Sequence, residues 1–239
     1  MRILAFNSSP RDNQTSKTEL LLQQFLDGAG QAGAETETLY LRQYKIKHCL
    51  GCFGCWVKTP GRCVQADDMT EKLFDRFLQA DLVVLATPLY HFTMNARLKM
   101  FIERTLPMSQ PFFIDRGERS GHPPRFEKLP RVVVLSVCAF PEQSNFAALS
   151  LTMKMIFGTH LAAEIYRHSS EFMAIPDLAP RVQEVLAAAA RAGGEVVRDG
   201  LVSPATLLAL TQDLAPRELL IRMVNEYWQQ ELGQSAVKQ

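Results

Sequence analysis

The sequence predicts an α/β protein built on a five-stranded parallel sheet with helices on both faces. Three largely apolar runs, Ile3–Phe6, Leu82–Ala86 and Arg131–Val137, have the length and composition of parallel strands buried on both sides. Helical patterns separate the predicted strands, and this alternation produces right-handed crossovers and a doubly wound sheet. A hydroxyl-rich loop directly after the first run indicates a phosphate site at the carboxyl edge of the sheet.

The first third of the chain supplies the next two strands and helices. Apolar residues recur at helical spacing from about Glu19, and an alternating pattern over Glu35–Leu41 predicts the second strand. The segment 46–63 is rich in cysteine and glycine, and we expect it to be mostly loop. Two aspartates then precede a helical pattern over Met69–Gln79, because acidic side chains favour helix N-termini.

The region after the third strand predicts a helix over Met94–Leu106, with Lys99 and Arg104 on its solvated or interface side. Residues 107–130 hold five prolines and break the alternation of strands and helices. A connection of this length is long for an ordinary loop. We expect it to be a lid or an oligomer contact.

The rest of the chain predicts a helix over Asn145–Phe157, a fifth strand over Leu161–Tyr166 and a helical tail. The patterns of the tail predict helices over Pro180–Arg198, Pro204–Leu210 and Pro216–Leu232. We therefore expect a sheet domain over residues 1–175 and a helical C-terminal extension over residues 176–239.

The strand order follows from right-handed crossovers and from the position of the phosphate loop. Together they predict the flavodoxin-like order 2-1-3-4-5, with a ligand at the switch point between the first and third strands. In that order the loops after strands one, three and four meet at one edge. The second of these loops is Thr87–Thr93, and the third is Cys138–Phe140.

The loop after the first strand, residues 7–18, carries five hydroxyl side chains and two cations. Hydroxyls and arginine bond phosphate oxygens, and the first N–H groups of a helix favour anions. An ordinary helix cap requires only one hydroxyl. The glycine patterns of P-loops and dinucleotide turns are absent from the sequence, so a mononucleotide such as FMN is favoured. We assign the phosphate to Ser9, Arg11, Ser16, Lys17 and Thr18.

The loop after the third strand is suited to a flat polar ring. Tyr90 and Phe92 could face such a ring, and the Thr87 hydroxyl could bond its edge. Packing of either aromatic side chain within the fold is the alternative explanation. Cys138 is expected to be a small buried residue next to the ring.

The charge and the apolar runs of the chain limit the kinds of partner and the cellular compartment that we expect. The chain has 239 residues, with 26 basic and 25 acidic ones and a net charge of +1, so no nucleic acid or membrane partner is expected. The first apolar run is too short for a signal peptide, and no apolar stretch would span a bilayer. We expect a cytoplasmic protein.

Four of the five cysteines, Cys49, Cys52, Cys55 and Cys63, lie within fifteen residues. In a reducing compartment such a group indicates metal or redox chemistry. Three thiolates at successive x2 spacing resemble a compact ferredoxin-type pattern, which predicts a [4Fe–4S] cluster. Zinc, a redox-active disulfide between the second and third cysteines, and reduced structural thiols are the alternatives.

A set of short motifs occurs in a fixed order along the chain. The set consists of Ser9-Pro10-Arg11, Ser16-Lys17-Thr18, Cys49–Cys55, Cys63, Asp67-Asp68-Met69, Ala80-Asp81, Thr87–Tyr90 and Leu98–Arg104. In this set the chain resembles the NAD(P)H-dependent FMN reductase superfamily, and within it the branch that includes the iron–sulfur flavoproteins. The resemblance covers roughly the first 170 residues, where strands and helices alternate. Ser8 stands where the family usually has glycine.

The resemblance implies FMN, with its phosphate on the first loop and its ring under the loop Pro88–Met94. Its site residues then also include Pro88, Leu89, Met94, Cys138 and Ala139. It further implies reduction by NADH or NADPH, electron delivery to a flavin, quinone or similar small acceptor, and at least a homodimer.

Two alternatives remain open for the function. One is an iron–sulfur flavoprotein that receives electrons from a ferredoxin-like protein, and the other is a non-catalytic redox or metal sensor on the same fold. No catalytic side chain is nominated, since the flavin itself would carry the chemistry.

Overall fold

A parallel sheet of five strands forms the centre of the protein, whose computed structural model describes residues 1–236. The strands, in chain order, are β1 (Arg2–Asn7), β2 (Glu35–Tyr40), β3 (Leu82–Tyr90), β4 (Thr93–Met94), β5 (Ile114–Asp115), β6 (Ser120–Gly121), β7 (Arg131–Val137) and β8 (Leu161–Arg167). The central order is β2-β1-β3-β7-β8, which confirms the predicted order 2-1-3-4-5. The short β4 pairs antiparallel to β3, and β5 pairs with β6 in a separate hairpin.

The described residues form eight α-helices. They are α1 (Lys17–Gln31), α2 (Gly54–Val57), α3 (Phe74–Gln79), α4 (Ala96–Glu103), α5 (Ala147–Phe157), α6 (Ala179–Asp199), α7 (Pro204–Leu210) and α8 (Arg217–Ala236). Because successive strand side chains point to opposite faces, the sheet has two cores. One core contains α1, α6 and α7, and the other contains α3, α4 and α5.

The helical tail takes part in the first of these cores. Helix α6 lies against α1 so closely that a Cβ on Gly28 would be 1.8 Å from the carbonyl oxygen of Ala190. On the other helix, a Cβ on Gly193 would be 1.9 Å from the carbonyl oxygen of Phe25. The two backbones therefore touch directly, which side chains larger than hydrogen would prevent. The division of the chain at residue 176 stays a prediction, and α6 covers the sheet on the same face as α1.

Several element boundaries differ from the predicted ones for local reasons. A π-helical turn over Met69–Leu73 precedes α3, and the Oδ1 atom of Asp67 accepts the Thr70 N–H at 3.2 Å at its start. Strand β3 extends beyond its apolar run because β4 folds back on it. Residues 107–130 contain the β5–β6 hairpin, and none of them lines the cofactor cavity described below.

The prediction that Arg104 lies on the solvated side of its helix is wrong, whereas Lys99 is exposed as predicted and pairs with Glu103. The Arg104 side chain is buried and forms an ion pair with Asp67 at 2.6 Å. The helical periodicity did not reveal this contact, because the partner comes from the loop that follows the cysteine segment.

A helix that crosses a membrane must be both long and apolar. Within residues 1–236, no helix is both long enough and apolar enough to cross a membrane.

Candidate functional site

A cavity of 210 Å³ lies at the carboxyl edge of the sheet, where the predicted loops meet. Ten of the thirteen residues predicted to bind the cofactor line it, together with three others. The predicted ones are Ser9, Arg11, Ser16, Lys17, Thr18, Pro88, Leu89, Tyr90, Cys138 and Ala139. The structure therefore brings the first, third and fourth loops together, as the strand order requires.

The start of α1 forms one wall of this cavity. Ser16 is the N-cap residue, and its Oγ accepts the Glu19 N–H at 3.1 Å and donates to the Oγ of Ser9 at 2.9 Å. The amides of Lys17 and Thr18 lie in the first turn, so no helical carbonyl can accept from them. Two hydroxyls, two unpartnered helical amides and the positive end of the α1 dipole thus face one space.

A network of buried hydrogen bonds supports this wall of the cavity. Asn7, the last residue of β1, accepts the Ser9 N–H at 2.8 Å and donates to the Glu19 carboxylate at 2.6 Å. The Tyr40 hydroxyl donates to the other oxygen of that carboxylate at 2.8 Å. Burial, and then the adjacent Glu19 carboxylate, raise the pKa of Tyr40 above its ordinary value, so the hydroxyl keeps its proton at neutral pH. These hydrogen bonds tie the loop to the end of β1 and to β2.

Charges at the cavity are mixed. Arg11 and Lys17 line it, and the Nη1 atom of Arg11 lies 2.8 Å from the Oε1 atom of Glu171. Both side chains of this pair are about half exposed, so solvent weakens their attraction. Four of the N–H groups of the guanidinium remain available to an anion.

Three lining residues were missed by the sequence analysis: Val137, Ser170 and Glu171. The last two follow the fifth sheet strand directly, and the loops after all parallel strands meet at the same edge. Because Ser170 and Glu171 follow the strand Leu161–Arg167, their place at the cavity could have been predicted from the sequence.

The end of β3, Pro88–Tyr90, also lines the cavity, and the turn that follows it lies outside the lining. Tyr90 pairs with Thr93, and the two residues between them, His91 and Phe92, have φ values of 47° and 64°. Two central residues at positive φ are typical of a type I′ hairpin turn, here without the usual glycine. The ring of Phe92 is exposed and lies parallel to the ring of Phe140, with centroids 6.3 Å apart.

Thr87 and Met94 are predicted to contact the cofactor, but the structure places both behind the cavity wall. Thr87 is fully buried, and its hydroxyl accepts the Asn95 N–H at 3.2 Å. Met94 is packed in the core beneath α4. Asn95 in turn donates to the Ser8 carbonyl at 2.7 Å, which ties the third loop to the first. These residues support the wall, and Phe92 lies outside the lining of the cavity.

The cavity wall fits a phosphate monoester with a polar tail. Hydroxyls, backbone amides and cations surround it on the α1 side, and these are the groups that bind phosphate oxygens. Backbone and apolar atoms of Pro88 and Leu89 line the other side. Cys138 is buried there, and burial raises the pKa of its thiol, so it stays uncharged beside a ligand.

The cysteine segment lies apart from this cavity. Cys55 is buried in α2, and burial followed by the neighbouring Cys63 raises the pKa of its thiol. All the cysteines are free thiols. Four thiols match the donors of an iron–sulfur cluster in chemistry. However, within residues 1–236 no three Cys, His, Asp or Glu side chains converge as ligands of one metal ion. The thiolates of a [4Fe–4S] cluster bind separate irons and not one shared ion, and Cys49, Cys52 and Cys63 all lie near enough to Cys55 to raise the pKa of its thiol. The metal assignment of Cys49, Cys52, Cys55 and Cys63 stays a prediction.

The chain is similar to one protein-family model and to several curated proteins. The family model for NADPH-dependent FMN reductase matches residues 1–164. An iron–sulfur flavoprotein of Methanocaldococcus jannaschii is 32% identical over 108 residues, which cover 45% of this chain and 53% of that protein. One from Archaeoglobus fulgidus is 36% identical over 107 residues, which cover 45% and 46%. The chain thus matches about half the length of these curated relatives.

A solved structure shows the same fold at low identity. It is an FMN-dependent NADH-azoreductase from Bacillus anthracis in complex with FMN. Its TM-score is 0.60 at 14% identity, and the alignment covers 83% of this chain and all of that one.

Proposed function

Because the chain belongs to the NADPH-dependent FMN reductase family, we propose that it is an FMN-dependent oxidoreductase that takes electrons from NADH or NADPH. The main observation in support of this proposal is that the hydroxyls of Ser9 and Ser16, the start of α1 and Arg11 all line the first cavity. The acceptor is proposed to be a flavin, a quinone or a similar small molecule.

FMN, when bound, would supply two-electron chemistry at its ring. The protein's residues have binding and orienting roles. Ser9 and Thr18 would donate hydrogen bonds to the phosphate, Ser16 would orient the Ser9 hydroxyl through its own hydrogen bond, and Arg11 and Lys17 would neutralise the charge of the phosphate. Pro88, Leu89 and Tyr90 would border the ring, and the fixed hairpin behind them limits their movement.

Measurement of flavin affinity with and without the phosphate group tests the proposal. Arg11→Ala is expected to weaken FMN binding by about 1.5 kcal/mol, the lower end for a charged hydrogen bond, because the side chain is half exposed. Riboflavin, which lacks the phosphate, should bind the native protein and the variant equally. Fluorescence quenching of each flavin gives the dissociation constants.

A matched control is Arg217→Ala, since Arg217 is also exposed and paired with a glutamate but lies outside the cavity. It should leave the affinity for FMN unchanged. If Arg11→Ala retains native FMN affinity, the assignment of the phosphate to this loop is wrong.

A second candidate function is favoured by the cysteine segment. Four thiols within fifteen residues are unusual for a reductase that uses flavin alone. In this alternative an iron–sulfur flavoprotein would exchange electrons with a ferredoxin-like protein. Iron and sulfide analysis of protein purified without oxygen distinguishes the two: about four irons per chain, as a [4Fe–4S] cluster requires, would favour the alternative. Absence of bound flavin would instead favour a sensor.

The assembly and the compartment are further parts of the proposal. Exposed apolar side chains on α8, such as Tyr227, Trp228 and Leu232, support a homodimer or higher oligomer. Free thiols support a reducing compartment such as the cytoplasm. Sedimentation and cell fractionation test these two points.

A further inference from the structure

A second and larger cavity, of 700 Å³, lies at the opposite edge of the sheet. It is bounded by the region 107–130, by the end of α5 and by the residues just before β8. Within residues 1–236, no residue that lines it also lines the first cavity. Its volume is in the range of small-molecule sites. It is therefore a separate cleft with its own chemistry.

One side of the second cavity is apolar. Met155, Ile156 and Phe157 at the end of α5 face Leu129 and Pro130 across it. Met155 and Ile156 are exposed through this cleft, with 58% and 42% of their surface accessible. Covering these side chains with an apolar ligand would remove hydrocarbon surface from water, which is favourable.

The other side is basic. Arg116, Arg119, His122 and His160 line it, and in the described part of the chain no Asp or Glu does. The hairpin has two acids, Asp115 and Glu118, and neither lines the cavity; Asp115 accepts the Gly117 N–H at 2.8 Å. A site with cations and no carboxylates attracts an anionic group.

The guanidinium of Arg116 is held in position by its surroundings. Its Nη2 atom donates to the carbonyl oxygen of His122 at 2.9 Å, and it lies across the backbone of Gly121. A Cβ at Gly121 would be 2.6 Å from the Arg116 Nε atom, so a side chain at this position would displace the Arg116 guanidinium. The turn between β5 and β6, closed by the Arg116 N–H donating to the Arg119 carbonyl at 2.9 Å, keeps the two arginines together.

His122 connects this cleft to the cysteine segment. Its Nδ1 atom lies 3.0 Å from the Phe112 carbonyl oxygen, and its ring packs between Trp56 and Phe113 at centroid distances of 5.0 and 5.2 Å. A ligand against His122 would therefore alter the environment of the Trp56 indole. The chain has two tryptophans, and the other, Trp228, is in α8.

From these observations we propose that the second cavity is a binding site for an amphipathic anion, a small molecule with one anionic head and an apolar body. The head is bound by Arg116 and Arg119, and the body lies on Met155 and Ile156. This site is independent of the proposed flavin site, because the two cavities have different walls.

The test compares octanoate with octanol, which have the same chain length and differ in the charge of the head. In a Trp228→Phe background, Trp56 is the single indole and reports binding by its emission, with calorimetry as a second measurement. We expect saturable binding of octanoate at one site per chain, about tenfold tighter than octanol. Saturation with FMN should leave octanoate binding unchanged.

Two variants and a control locate the anionic head. Arg119→Ala removes one cation, and Gly121→Ala displaces the Arg116 guanidinium without deleting it. Each should weaken octanoate binding about threefold or more and leave octanol binding unchanged. Arg222→Ala, an exposed arginine on α8, should change neither.

Three outcomes would overturn the proposal. The first is equal affinity for octanoate and octanol, and the second is no binding of octanoate by either measurement. The third is displacement of octanoate by FMN, which would place it in the first cavity.

Discussion

The Arg104 guanidinium connects the end of α4 to both ends of the cysteine segment. It donates to the Lys47 carbonyl at 2.8 Å, to both oxygens of Asp67 at 2.6 and 3.0 Å, and to the Thr70 hydroxyl at 2.9 Å. Burial by itself would raise the pKa of Asp67, but the hydrogen bonds from Arg104 and from the Lys47 and Thr70 amides, together with the Arg104 charge, hold the pKa below its ordinary value. Asp67 is therefore charged at neutral pH, and the pair anchors the loop that carries the thiols.

Removal of this guanidinium should be costly. Arg104→Ala leaves the Asp67 carboxylate buried without its partner, and we expect the free energy of unfolding to fall by about 3–5 kcal/mol. The double variant Arg104→Met with Asp67→Asn removes both charges and should recover a large part of that loss. Urea unfolding measures each value.

The control for this prediction is Lys99→Ala, which breaks the exposed ion pair with Glu103 on the same helix. It should cost less than about 1 kcal/mol. A loss of that small size for Arg104→Ala would contradict the anchoring role.

His168 makes stability depend on pH. It is buried, and burial followed by the charge of Arg167 lowers the pKa of His168 below its ordinary value. Contacts with the Thr211 carbonyl and Asp213 offset this only in part. At pH values between the folded-state and unfolded-state pKa of His168, the unfolded chain binds more protons than the folded one. The free energy of unfolding therefore decreases as the pH falls below about 6.5.

The corresponding measurement is the free energy of unfolding at pH 7 and pH 5. His168→Gln should reduce the loss between these pH values, because the group that must protonate is gone. His160→Gln, at an exposed position, should leave the loss unchanged. Equal pH dependence in all three proteins would contradict the role of His168.

At the scale of elements, the helix pair α1–α6 depends on glycine at two contact points. Gly28→Ala would place a methyl group against the Ala190 carbonyl, and we expect a loss of about 1–3 kcal/mol or more from overpacking. Gly30→Ala is a matched control in the same helix, since no atom lies within 4 Å of its Cβ position. Because alanine favours helix, the control should be stabilised by about 0.5–1 kcal/mol.

Urea unfolding of the two variants measures both effects. Equal stability of Gly28→Ala and the native protein would show that the helices separate without cost.

The central strands could be predicted because buried parallel strands are local apolar runs in the sequence, and their order followed from right-handed crossovers and the position of the first loop. Arg131–Val137 has the same limits in the prediction and in the structure. That Ser9 and Ser16 line one cavity could be predicted for a similar reason, since both lie on one loop. The partner of Arg104 and the support role of Thr87 could not be predicted, because both depend on which side chains meet across the fold. The glycine contact between α1 and α6 likewise leaves no periodic signal.

At the scale of the whole molecule, the helical tail and the sheet share a core, so we expect them to unfold together. Buried side chains of α6, such as Val185 and Ala189, belong to the same cluster as Ile3 and Val84 of the sheet. Native-state amide hydrogen exchange should give opening free energies for α6 and β3 that agree within about 1 kcal/mol. Exchange of α6 at a much lower free energy would support the predicted division into a domain and an extension.

The close contact between α1 and α6 also has a consequence for synthesis on the ribosome. Helix α1, whose first turn forms one wall of the first cavity, is made at the start of translation, but the helix that covers it ends at Asp199. At about 5–20 residues per second, the nascent α1 waits on the order of 10–30 s before its cover exists. During that interval the apolar side of α1 lacks the cover that α6 provides, whereas the network of Asn7, Glu19 and Tyr40 that supports its first turn is complete within the first 40 residues.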